Sequence, residues 1–117
     1  MAWFAVHVVM RISSPEGTRE PIAVWENCIL VQAGSHDSAR EEGAKIGALE
    51  STASGDSMKW AGRPARWDFV GVRKVQIVDA EAFQHGLEIS HMEYEVASQG
   101  ALTALAAGDP VELTYVE

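Results

Sequence analysis

The stretch Trp67-Asp-Phe-Val-Gly-Val-Arg-Lys-Val-Gln-Ile-Val78 decides how the second half of the chain is laid out. A half-buried strand keeps its apolar side chains on one face, in steps of two. Val70 and Val72 keep that step, and so do Val75 and Ile77, yet the two pairs are out of step with each other. The change falls at Arg73-Lys74. Residues 87–97 read as a further strand with the same fault: Leu87 and Ile89 agree, then Met92, Tyr94 and Val96 agree on the opposite parity. One antiparallel register brings both faults side by side. It sets Val70 opposite Tyr94, Val72 opposite Met92, Val75 opposite Ile89 and Ile77 opposite Leu87, and a slip of one residue would destroy the match. The expectation is a long twisted hairpin whose far end buries its other face, with Gly71 allowing a bend or bulge. Its tip, carrying Val75, Ile77, Leu87 and Ile89, covers the domain's own helix or reaches a second subunit, which makes these four the candidates for self-association as a homodimer.

The same register sets Phe69 opposite Glu95, Gly71 opposite Glu93 and Arg73 opposite His91. Arg73, His91, Glu93 and Glu95 are therefore candidate binding residues in one polar cluster. The plain alternative is a solvated face with cross-strand charge pairs worth about 0.2–1 kcal/mol each.

Residues 3–13 alternate cleanly: Phe4, Val6, Val8, Met10 and Ile12 share one face, and Trp3, Ala5, His7, Val9 and Arg11 share the other. A polar loop follows through two prolines and a glycine. Residues 23–33 form a second strand, and the consecutive Ile29, Leu30 and Val31 predict an interior position with both faces covered. Ser35 is placed as the N-cap of a helix running to about residue 51, whose small buried stripe, Ala39 and Gly43 included, lets it sit close to a sheet. Gly43 and Gly47 each cost about 1 kcal/mol against alanine, so packing must hold this helix. Residues 53–66 are a long connection. It presents Trp60 between Lys59 and Arg63, and Trp60 and Arg63 are candidate interface anchors; the alternative is a tryptophan folded back over the sheet edge. Ser98 caps a short helix over 99–107, and Val111, Leu113 and Tyr115 alternate as a last strand.

The order is ββαββ, then a short helix and a strand. Without its first strand it reads β-α-β-β-α-β, the ferredoxin-like split pattern. The fold class is α+β with a mainly antiparallel sheet, in one domain over residues 1–117. A sheet order of 1-2-4-3 makes every neighbour antiparallel, and 2-1-3-4 is the alternative. Trp3 and Val9 on the less apolar side of strand one imply that water does not cover all of that face.

At this point the chain resembles a bacterial family known as domain of unknown function 4288. The likeness is carried by Trp3-Phe-Ala-Val6, the strand from Glu26 to Ala33, Ser35-His-Asp-Ser-Ala-Arg-Glu-Glu-Gly-Ala44, Trp67-Asp-Phe-Val-Gly-Val72 and Gly86-Leu-Glu-Ile89, and spans about residues 3–97. The family brings no assigned activity and no catalytic residues to carry over.

Composition narrows the function. Seventeen acidic against nine basic side chains give a net charge of −8, which argues against nucleic acid, since that polyanion calls for a basic surface. No run approaches the roughly 18 apolar residues of a membrane span, and the start has neither a basic n-region nor a cleavage site. Cys28 is the only cysteine, which suits a reducing, cytoplasmic setting. Mid-strand beside Ile29 and Leu30, it reads as a small buried hydrophobe and not a nucleophile. His7, His36, His85 and His91 show no metal-ligand spacing, and no phosphate loop is present, so no metal and no cofactor are expected. The chain is read as an acidic protein-protein interaction module, more a binder than an enzyme, that engages a protein partner or itself. The rival is a small-molecule binder or minor enzyme built on Arg73, His91, Glu93 and Glu95.

Overall fold

The alternation of residues 3–13 becomes strand β1 (Ala2–Ser13), with Phe4, Val6, Val8, Met10 and Ile12 all buried on one face. The structure, a computed structural model, describes residues 1–17, 21–53, 59–79 and 81–116; the middle of the long connection read over 53–66 lies outside them. Strand β2 (Ala23–Ala33) pairs antiparallel with β1 in an unbroken ladder from Ala2↔Ala33 to Ile12↔Ala23. Strand β5 (Arg66–Ile77) pairs antiparallel with the other side of β1, so the sheet order is β2-β1-β5. This agrees with the beginning of the alternative order, 2-1-3-4, and not with 1-2-4-3. The second strand is an edge, contrary to the interior place expected from Ile29-Leu30-Val31. Val31 is buried but Leu30 is 41% exposed: the apolar run is continuous, yet only one of its two faces is covered.

Between β2 and β5 the chain forms helix α1 (His36–Ala53) and a small hairpin of β3 (Lys59–Trp60) and β4 (Arg63–Pro64). Ser35 caps α1, its hydroxyl accepting the Ser38 N–H at 3.1 Å. The helix lies on the face of β1 that carries Val6 and Val8. A Cβ on Gly43 would come within 2.5 Å of Val6 Cγ1, and one on Gly47 within 2.5 Å of Phe69 Cδ1 and 2.8 Å of Val8 Cγ1. Both glycines therefore set how closely helix and sheet approach, as the small stripe suggested. Phe4, Val6, Val8, Met10, Val31, Ala33 and Ala39 form this core, joined by the partly buried Ile46, Trp67, Phe69, Val72 and Val75.

The change of step in β5 has a different origin from the one expected. Along β1, His7 faces Lys74 while Val8 faces Val72, and Val9 faces Gly71 while Met10 faces Phe69. Arg73 and Val70 therefore stand without an opposite residue: they are two β-bulges. Each adds one residue and shifts the alternation once. The core face of β5 thus runs Ile77, Val75, Val72, Phe69, Trp67, opposite Phe4, Val6, Val8, Met10 and Ile12. Val70, taken as in step with Val72, is a bulge residue and is 61% exposed.

The hairpin of residues 67–78 with 87–97 is not formed. In the latter stretch only β6 (Tyr94–Glu95) is a strand, and it pairs with β7 (Thr114–Tyr115), on the far side of helix α2 (Gln99–Ala106). The arm tip expected from Val75, Ile77, Leu87 and Ile89 is dissolved with it: Val75 and Ile77 pair with β1, while Leu87 and Ile89 lie in an irregular segment. The class stands as α+β with antiparallel sheets and a short C-terminal helix and strand. Among the described residues no helix is long and apolar enough to cross a membrane.

Candidate functional site

Alternation that buries one side of β1 sends Trp3, Ala5, His7, Val9, Arg11 and Ser13 to the other. There β2 contributes Glu26, Cys28 and Leu30, paired with Val9, His7 and Ala5, and β5 contributes Asp68 and Lys74, paired with Arg11 and His7. The bulge re-aims Arg73 to the same side, where it takes both oxygens of Glu26: Nε donates to Oε1 at 2.9 Å and Nη2 to Oε2 at 2.8 Å. This is the two-pronged geometry that only a guanidinium offers a carboxylate. The Tyr115 ring lies 4.4 Å from the guanidinium carbon, a cation–π contact.

His7, only 3% exposed, is held at both ring nitrogens. Nδ1 lies 2.9 Å from Glu26 Oε2 and Nε2 lies 2.6 Å from Ser90 Oγ. The Arg73 hydrogen bonds hold the Glu26 carboxyl below its ordinary range; burial opposes them, and His7 adds to the lowering. Glu26 is thus the hub of a clamp that ties three strands of sheet to the segment around Ser90. Below it, partial burial pushes Asp68 up, but Ser13 at 2.8 Å, Arg11 at 3.1 Å and Arg66 bring it down on balance.

Of the residues expected to cluster, Arg73, His91 and Glu93 do line one cleft of about 230 Å³, together with Lys74 and Gln76. Lys74 Nζ donates to the His91 carbonyl, and His91 Nε2 lies 3.7 Å from Glu93 Oε2. Glu95 is not a lining residue; it sits on β6 opposite Thr114. Glu26, His7 and Ser90 were missed as site residues. The available signal was a glutamate and a histidine in the middle of otherwise apolar strands, where a polar group needs a partner.

Trp60 and Arg63 line a second, larger cleft of about 670 Å³ with Ile12, Pro15, Pro21 and Pro64. Ala61 and Gly62, both at positive φ, make the two-residue turn that presents them. Trp60 is 44% exposed, Trp25 beside it is 42% exposed, and their rings meet at 6.4 Å. Trp25 in turn meets Trp67 at 5.3 Å, so three tryptophans roof the end of the sheet that carries Ile12.

The order Ser90–His7–Glu26 is that of a nucleophile, base and orienting acid. Two observations count against that chemistry. The adjoining cleft is lined by neither Ser90 nor His7, and Arg73 neutralises the acid that would have to support the histidine. Cys28 is exposed and not buried as expected. Its sulfur lies 3.7 Å from His7 Nε2. Desolvation, with the Glu26 charge, pushes its thiol up, against a smaller opposing effect of Lys74, which disfavours a reactive thiolate. Among the described residues, no group of three or more His, Cys, Asp or Glu side chains could hold a metal ion.

The molecule thus has a small antiparallel α+β fold with one face under a helix and the other held by a part-buried polar clamp. It belongs to the family described as Domain of unknown function (DUF4288), which it matches over residues 3–90. His7, Glu26, Arg73 and Ser90 all fall inside that span, and β6, α2 and β7 fall outside it. No curated protein and no solved structure matches the chain.

Proposed function

We propose that this protein is a non-enzymatic protein-protein interaction module of a bacterial cytoplasm, which binds a protein segment in the cleft of Trp60 and Arg63 and also self-associates. The observation that carries the reading is the half-exposed Trp60, set edge-on to the half-exposed Trp25 beside it, in a proline-walled cleft that Arg63 also lines. Tryptophan and arginine are the side chains that most often anchor protein contacts. One unpaired cysteine suits the reducing compartment. Selection of a displayed peptide library on the protein tests the reading. Peptides enriched on the wild type, and lost on a Trp60→Ala/Arg63→Ala variant that still folds, are the expected result. Equal enrichment on both, or none on either, overturns it.

The bulge favours a second reading, a small anionic ligand in the 230 Å³ cleft, because it sets Arg73 and Lys74 side by side at its wall. A melting screen against phosphate and carboxylate compounds tests it. A rise in melting temperature that Lys74→Ala removes would establish the ligand, and no rise with any compound would dismiss it.

A further inference from the structure

The two outer strands of the sheet treat their free edges in opposite ways. An edge exposes backbone N–H and C=O groups that can template another strand, and proteins normally blunt it with bulges, charges or covering side chains. Strand β5 has all three: the bulges at Val70 and Arg73, Lys74 beside Arg73, and two backbone groups taken by α1. Arg40 Nη1 donates to the Val72 carbonyl at 2.7 Å, and the Phe69 N–H donates to Ser51 Oγ. Among the described residues strand β2 shows no such protection of its outer edge. Its eleven residues run without a bulge and hold no proline, lysine or arginine. Its one charge, Glu26, is turned into the clamp with Arg73. Among the described residues no strand other than β1 pairs with it. Val24, Trp25 and Leu30 stand exposed along it.

We propose that β2 is the self-association edge: a second copy of this chain adds its own β2, antiparallel, to join two three-stranded sheets into one of six strands. This deepens the reading of the protein as a self-associating binder and moves the contact from the expected arm to the opposite side of the sheet. The occupant follows from what the edge requires, namely a regular strand that is apolar on both faces and nearly free of charge. Within this chain β1 is used on both sides and β5 is bulged and charged, which leaves β2 itself. It is also self-complementary. With Asn27 on the two-fold axis, Trp25 lies opposite Ile29 of the partner subunit on the helix side. On the clamp side Val24 lies opposite Leu30 of the partner subunit, and Glu26 lies opposite Cys28 of the partner subunit. Apolar side chains then meet apolar ones on both faces except at the Glu26–Cys28 pairs, where Glu26 stays turned to Arg73, and the amides of the two Asn27 residues meet at the centre.

Light scattering on the full chain, with circular dichroism as a control for folding, tests the proposal. The wild type is expected to have twice the chain mass, and Val24→Lys/Leu30→Lys is expected to halve it with its secondary structure kept. A second measurement fixes the register. In a Cys28→Ser background, Asn27→Cys should link two chains on mild oxidation, because directly paired residues lie within the Cα separation a disulfide spans, whereas Gln32→Cys should not. A wild type that stays monomeric at its highest soluble concentration overturns the proposal, and so does a dimer that survives the lysine pair. Cross-linking at Gln32→Cys but not at Asn27→Cys overturns the register. Peptides enriched through Trp60 and Arg63 on a monomeric protein would leave the binding module standing without its self-pairing. A dimer that meets every expectation here, with no enriched peptide, would do the reverse.

Discussion

The two faces of the sheet are closed by different physics. Under α1, the side chains of β1 meet the helix and each other with almost no polar atoms, and Val6, Val8 and Met10 are essentially inaccessible to water. On the reverse, what closes the sheet is a set of directed contacts: Arg73 on Glu26, Glu26 on His7, His7 on Ser90, Tyr115 over Arg73. Among the described residues after Val78 none is buried, and α2 buries no residue at all. The helix side supplies bulk stabilisation that depends on volume and close fit and makes no demand for a particular polar partner. The clamp side supplies little buried area but strong demands on identity, since a polar group taken from water must find its partner.

Substitutions on each side should therefore fail differently. The largest loss is expected from Met10→Ala, on the helix side, at about 2–5 kcal/mol for a buried methionine with its cavity, read as a fall in the urea midpoint of the whole protein. A loss well under this range would mean that the helix side is loosely packed, and the contrast would vanish.

Next comes Glu26→Ala, at about 1.5–3 kcal/mol for hydrogen bonds to a charged group. Here the pattern matters more than the size. Hydrogen exchange should quicken across residues 81–116 before it quickens in β1 and β2. Uniform quickening would show that the clamp is part of the main cooperative unit. The same group sets an acid dependence. Because Glu26 is depressed in the folded protein below its ordinary 4.5, the unfolded chain takes up the proton first as pH falls. Its stabilisation is complete above the ordinary carboxylate range and is lost as pH drops through the depressed folded value. Asp68 acts with the same sign. Glu26→Gln should flatten the decline of the urea midpoint in that acid window, and an unchanged slope would remove Glu26 as its source.

The third comparison sets two glycines against each other. Gly47→Ala forces a methyl into Phe69 and Val8 and should cost about 1–3 kcal/mol. Gly71→Ala lies on the clamp side, with nothing within 4 Å of the added carbon. It should change stability by less than about 1 kcal/mol, and in the stabilising direction, because it narrows the unfolded ensemble. Equal costs at both positions would erase the distinction between a filled and an open side.

How much of this could be read from sequence differs with the range of the interactions. The buried face of β1, the Ser35 cap and the close approach at Gly43 were legible because each leaves a local signature, namely strict alternation, a hydroxyl ahead of a helix and a stripe of small residues. The α+β class followed from the order of elements. The reading of residues 67–78 failed where the outcome depended on a partner. Two shifts of parity within four residues look, in one dimension, like a single change of face between valine pairs. Only the ladder to β1 reveals that Phe69, Val72 and Val75 belong together. Residues 87–92 mimicked a strand because apolar side chains recur there at short spacing, while among the described residues no strand pairs with them. Arg73, His91 and Glu93 were brought to one cleft by a different route from the expected hairpin. Glu26 escaped notice because its partners come from β1, from β5 and from an irregular segment, and no local spacing links them.

The middle position of β1 has a consequence for how the molecule is made. During synthesis β1 emerges well before β5, with all of β2 and α1 between them, so the ladder that covers its second side closes only after that whole loop has been translated. Until then a nearly uncharged apolar strand waits with one flank open, and the late, long-range closure should make folding slow for a chain of this size.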